Sequence, residues 1–113
     1  MKDFLFIYRA DYNIMRTGTP EQMAAVTQQW MDWMMGIAAQ GKLTDRGNRL
    51  DNTGKVVKPD NVITNGPYTD IKESIGGYSI VKADSYEEAV ELAKGCPIFA
   101  AGGNVEIREI DKM

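Results

Sequence analysis

The spacing of hydrophobic residues changes several times along this chain, and each change marks an element. Phe4-Leu5-Phe6-Ile7-Tyr8 is a continuous apolar run. It is short, aromatic and β-branched, which favours a strand over a buried helix. Being apolar on both faces, it needs cover from both sides. Arg9 to Gly18 reads as a polar loop. From Met23 the spacing becomes three and four, and Met23, Val26, Trp30, Trp33 and Ile37 form one helical stripe. Thr19-Pro20-Glu21-Gln22 writes its start, with Thr19 as N-cap, Pro20 at the first helical position and Gln22 completing a capping box. Gly41 is a natural stop. Met31, Met34, Met35 and Ala38 widen the stripe beyond what one sheet face should need. Methionines fill gaps in cores, and such surfaces also line adaptable pockets or subunit contacts.

After Lys42 the pattern turns to strands. Leu43 begins a short one that Gly47 breaks. Asn52-Thr53-Gly54 then turns the chain into Lys55 to Lys58, and Pro59 interrupts the pairing. This hairpin reads as an insertion projecting from the sheet. Val62 to Thr64 meets Asn65-Gly66-Pro67-Tyr68, the strongest turn signal in the chain. Gly66 can take a positive φ, and Pro67 biases it away from the right-handed helical region. The loop that follows is therefore expected to be ordered, presenting Tyr68, Asp70, Lys72 and Glu73 in few directions. Gly76-Gly77 opens the strand Tyr78 to Val81. Ser85 and Glu88 write a second capping box for a helix with Ala89, Leu92 and Ala93 on one face. Lys94 suits the negative end of that helix, Gly95 can close it, and Pro97 prevents continuation. A turn at Gly102-Gly103 precedes a last strand, Val105 to Ile110.

The expected helices lie near 20–40 and 86–94, and the strands near 3–9, 42–50, 77–82 and 104–110. Two helices on one face of a four-stranded antiparallel sheet make a ferredoxin-like α+β sandwich, one domain over residues 1–113. Helices then cover only one sheet face, yet Phe4 to Tyr8 offers large side chains to both. Packing the open face on a second copy, as a two-fold homodimer, is the simplest resolution.

Composition narrows the chemistry. With 113 residues there is room for one core, and a formal charge of −3 with no basic patch argues against nucleic acid or anionic membrane as partner. No apolar run approaches the roughly 20 residues of a membrane span, and the N-terminal run is too short for a signal peptide. One cysteine, Cys96, allows no intrachain disulfide and fits a reducing compartment, so the expected location is cytoplasmic. Histidine is absent, which excludes Ser-His-Asp and Cys-His mechanisms and His-ligated zinc. The spacing of a calcium loop is missing, Gly102-Gly103 lacks the context of a phosphate cradle, and no metal or cofactor is expected.

The ordered set Val62-Ile63-Thr64-Asn65-Gly66-Pro67-Tyr68, Asp70-Ile71-Lys72-Glu73, Gly76-Gly77-Tyr78, Asp84-Ser85 with Glu88-Ala89, and Val105-Glu106-Ile107-Arg108 resembles the YCII-related, or DGPF-domain, family of small bacterial proteins. The resemblance implies a dimeric α/β barrel in which two ferredoxin-like sheets pack face to face. Some YCII-type members carry a histidine–aspartate pair thought to be catalytic, and certain relatives are associated with extracytoplasmic-function sigma factors. Where the namesake motif reads Asp-Gly-Pro-Phe, this chain reads Asn65-Gly66-Pro67-Tyr68. With no histidine and no carboxylate at residue 65, inherited acid–base chemistry is weakened.

The candidate groups follow from the loop. Asp70 or Glu73 could act as a base if desolvated, and Lys72 or Tyr68 could steady an anion. The simpler role is a solvated loop in which Asn65 and Asp70 satisfy backbone donors. Arg9, Arg46 and Arg49 could hold a carboxylate or phosphate, although exposed arginines are common. Arg9, Arg46, Asn65, Gly66 and Tyr78 are the expected substrate contacts. Cys96 is a poor nucleophile, since a helix C-terminus disfavours its thiolate. Three functions compete: a cofactor-independent enzyme acting on a small anionic or carbonyl-bearing metabolite, a non-catalytic ligand-binding or regulatory module, and a purely structural dimer.

Overall fold

The computed structural model of the chain describes residues 1–11, 18–67 and 73–112. Strand β1 (Lys2–Ala10) is central, and the sheet order is β2-β5-β1-β6, antiparallel throughout, with β2 at Leu43–Asp45, β5 at Ser74–Ala83 and β6 at Asn104–Glu109. Helices α1 (Pro20–Ala39) and α2 (Tyr86–Ala93) supply the second layer. The expected α+β, ferredoxin-like arrangement is therefore present. The alternation in β1 is clean: Phe4, Phe6, Tyr8 and Ala10 are buried under the helices, while Leu5 and Ile7 are half-buried on the other face.

The starts of both helices follow the sequence, and one differs in detail. Thr19 accepts from the Gln22 amide at 3.1 Å, and the Gln22 side chain accepts from the Thr19 amide at 2.9 Å, a complete capping box. Ser85 accepts from the Glu88 amide, but the Glu88 carboxylate turns to Lys42 and the Asp84 amide instead of closing a second box. The α1 stripe also covers less than its spacing predicts. Trp30, Trp33, Met34 and Ile37 pack on the core, whereas Met23 and Val26, two turns and one turn earlier, are exposed. The indole of Trp33 donates to the Leu92 carbonyl at 3.0 Å and fixes α1 to α2. Pro97 ends α2 as expected and then begins a 3-10 helix, Pro97–Ala101, whose buried Ile98 closes the end of the core.

The hairpin differs most from expectation. Its strands are β3 (Lys55–Lys58) and β4 (Val62–Asn65), and its turn is Pro59–Asn61, not Asn52 to Gly54. Asp60 and Asn61 have φ of 67° and 62°, a conformation their short polar side chains tolerate, and Pro59 ends the pairing of β3 as expected and opens the turn. β3 and β4 pair only with each other. Strand β2 is shorter than expected. Its register slips between Leu43 and Asp45, the chain bends at Gly47 with φ 75°, and beyond the bend it returns to β5 through an isolated bridge of Arg49 opposite Gly77, with the Asn48 carbonyl accepting from the Tyr78 amide at 3.2 Å. A Cβ at Gly47 would collide with the Tyr78 carbonyl, so only glycine permits this approach. β5 starts earlier than predicted, at Ser74, with a bulge where Tyr8 faces Gly77 and Arg9 faces Ile75.

The molecule is flat, 44 × 44 × 18 Å, with a radius of gyration of 15.3 Å against about 13 Å for a compact chain of this length. Its accessible surface is 7639 Å², whereas a compact monomer of this mass exposes about 6,200 Å².

Candidate functional site

A cleft of about 310 Å³ lies where the hairpin joins the body. Asp51, Asn52, Thr53 and Ser74 give it polar groups, and Leu50, Pro67 and Ile75 give it apolar walls. Local folding explains each wall. The Leu50 amide donates to the Gly76 carbonyl at 2.9 Å, which seats the segment after Gly47 on the bulged part of β5. Gly66 takes φ 83°, as the turn signal requires, and its amide donates to the Gly54 carbonyl, closing the root of the hairpin and aiming Pro67 at the cleft. Ser74 is buried, and Ile75 sits opposite Arg9 on the open sheet face.

Of the residues singled out in the sequence, Tyr68, Asp70 and Lys72 lie outside the described residues, and with them most of the loop expected to be ordered. The residues that bracket this segment, Pro67 and Ser74, both line the cleft. Arg9 is engaged: its Nε is 3.1 Å from Glu106, and its Nη1 donates at 3.0 Å to the main-chain carbonyl of Glu73. The guanidinium thus ties the start of β5 to β6. Tyr78 lies on the open face, its hydroxyl accepting from the Asn48 side-chain Nδ2 at 3.1 Å. The Asn65 side-chain oxygen accepts from Lys55 at 2.9 Å within the hairpin. Arg46 is placed elsewhere. It lines a separate groove of about 100 Å³ with Met31, Met34, Met35, Ala38 and Leu43, so it does not join Arg9 or the cleft. The reason is the bend at Gly47, where Ser79 donates to the Arg46 carbonyl at 2.7 Å and holds this turn against β5.

Sequence reasoning missed Asp51, Asn52, Thr53 and Ser74. Asn52 and Thr53 were read as hairpin turn, and the only available signal was a cluster of polar residues at the root of an insertion. Among the described residues three groups have displaced pKa values, and none of the three lines the cleft. Burial pushes the Tyr8 phenol well up, against a smaller opposing pull from the nearby Ser79 hydroxyl. The Ser79 hydroxyl is committed to Arg46, and the Tyr8 oxygen lies buried without a hydrogen-bond partner within range, between Trp30 and Trp33. Burial pushes the Cys96 thiol up to about 12, in keeping with an inert side chain. A hydrogen bond from Lys42 holds the half-buried Glu88 carboxyl below its ordinary value. Among the described residues, no three His, Cys, Asp or Glu side chains converge as metal ligands, and no helix is long and apolar enough to cross a membrane.

The chain belongs to the YCII-related domain family, whose profile matches residues 1–113. No curated protein matches it. Among solved structures it is similar to 5-chloro-2-hydroxyhydroquinone dehydrochlorinase from Burkholderia phenoliruptrix AC1100 in complex with 2,5-dihydroxybenzoquinone. That likeness has 19% identity and a TM-score of 0.48, over 96% of this chain and 93% of the other.

Proposed function

We propose that the protein is a small cofactor-independent enzyme that takes an anionic or carbonyl-bearing metabolite into the cleft at the hairpin root. One observation carries this reading: Pro67 and Ser74, which bracket the segment holding Tyr68, Asp70, Lys72 and Glu73, both line a cleft that already contains Asp51. A carboxylate, Asp51 in the cleft or Asp70 or Glu73 from the segment after Pro67, would remove a proton activated by the substrate carbonyl. Lys72 or Tyr68 would steady the resulting anion. Leu50, Pro67 and Ile75 give the substrate an apolar seat and limit water. Arg9 acts by holding the end of β5 in place, and Arg46 takes no part.

The working unit in this proposal is a homodimer joined through the open sheet faces. Leu5, Ile7 and Ile80 form the apolar centre of that face, and the surface in excess of a compact monomer is about 1,400 Å² per chain, more than the roughly 800 Å² a standard interface takes from each partner. Light scattering should give twice 12.6 kDa.

The experiment for the site is ligand-observed NMR with a panel of 2-oxo and hydroxy acids, followed by turnover assays on any binder. Thr53→Trp, which fills the cleft, should weaken binding at least tenfold. Turnover that survives Asp51→Asn, Asp70→Asn and Glu73→Gln together would eliminate the carboxylate base. Binding without turnover would favour the second reading, a non-catalytic ligand module. That reading draws support from Asn65, whose side chain braces the hairpin through Lys55 where the family motif has a carboxylate.

A further inference from the structure

Strands β3 and β4 pair with each other and with no strand of the main sheet. An isolated two-stranded ribbon is at best marginally stable in water. On one face of this ribbon Val57 stands opposite Ile63, and the two are 70% and 59% exposed. A β-branched cross-strand pair stabilises a ribbon through packing, and the exposure of this pair leaves that face open among the described residues. The main sheet has a related deficit on its open face, around Leu5, Ile7 and Ile80. The chain as a whole exposes about 1,400 Å² more than a compact monomer, above the roughly 800 Å² a standard interface takes from each partner. Charge fits the same picture. Residues 55–65 carry Lys55, Lys58 and Asp60, a net +1, which leaves −4 on the remainder of a chain whose total is −3.

We propose that the β3–β4 hairpin is an arm whose Val57–Ile63 face is buried against a second copy of this chain, so that each subunit clasps the other. The inference rests on the homodimer proposed above and adds to it the element that sheet-to-sheet packing leaves uncovered. Docking the arm also acts on the cleft, because Thr53 and Pro67, just outside the two ends of the ribbon, are two of its walls. Each subunit would then hold its partner's site in shape.

Two measurements test this on the full chain. Sedimentation of the double variant Val57→Lys, Ile63→Lys should show at least a tenfold weaker dimer than the parent protein, with its circular dichroism retained. Interchain contact is the deciding observation. An Ile63→Cys chain carrying a nitroxide is mixed with unlabelled-spin chains that are methyl-labelled with carbon-13, and relaxation is read on the latter. Selective broadening of methyl groups in the partner, reversed by reducing the nitroxide, establishes the clasp. Its absence in a mixture shown to be dimeric overturns the arm, whatever the double variant does, and leaves the homodimer standing. A parent protein that sediments as a monomer overturns the homodimer and the arm together.

Discussion

Lys42 and Glu88 form an ion pair of 2.7 Å between the residue before β2 and the first turn of α2. Lys42 also accepts the Lys82 amide through its carbonyl, so the pair joins the edge of the sheet to the helix layer. The hydrogen bond from Lys42 is the foremost reason that the Glu88 carboxyl sits below its ordinary value of 4.5. A carboxyl with a depressed folded pKa contributes stability above its unfolded pKa and loses it as pH falls through the folded one. Denaturant midpoints should therefore decline on acidification below about 4.5, and Glu88→Gln should decline less steeply there. Parallel slopes in the two proteins would show that the pair is not populated in solution. The pair is partly shielded from solvent, so added salt should weaken the effect only in part.

Gly66→Val is expected to destabilise the fold by about 1–2 kcal/mol, the cost of a left-handed backbone for a β-branched residue. The position has φ 83° with open space where a Cβ would project, so the cost is in the backbone alone. Urea melts should move in midpoint at constant slope. An unchanged midpoint would mean that the turn relaxes to another conformation.

Phe6 is fully buried on β1 and packs 6.4 Å, ring centre to ring centre, from Trp33. Phe6→Ala should cost about 3–5 kcal/mol, a large part of the 5–15 kcal/mol typical of such domains. A melt showing less than 2 kcal/mol would indicate that α1 settles into the gap.

Elements were legible where one local rule and the tertiary packing agree. The Thr19-Pro20-Gln22 cap, the alternation of β1 and the left-handed Gly66 each follow from their own few residues. The errors arise where distant partners decide. Glu88 has a local partner in a capping box, but Lys42, 46 residues away in sequence, takes its carboxylate. Asn52-Thr53-Gly54 has turn composition, yet the reversal comes at Pro59–Asn61, and Asn52 and Thr53 line a cleft, because the Leu50 amide is bound by the Gly76 carbonyl and the chain then leaves β5 as a separate ribbon. Arg46 looked like a companion to Arg9 in sequence. The bend at Gly47, possible only because of the approach to Tyr78, sends it to the methionine groove instead.

Cys96 should resist thiol reagents in the native protein. With its pKa near 12, only about one thiol in ten thousand is ionised at pH 8, and burial blocks access as well. Labelling by a disulfide reagent should appear only as the protein unfolds, with a rate that tracks unfolding. Rapid labelling in buffer would mean that the segment around Pro97 opens locally.

The slipped, interrupted strand β2 has a bearing on solubility. A regular outer strand leaves a row of free amides and carbonyls onto which a foreign strand can crystallise, and from there a fibril can grow. Here the outer row beside β5 lasts three residues before the chain kinks, and Arg49 makes a single bridge farther along. The opposite border, β6, presents Glu106, Arg108 and Glu109, with charges of both signs. One border is too short to template and the other is guarded by charge, so association is directed away from edge-to-edge polymerisation and toward the faces of the sheet.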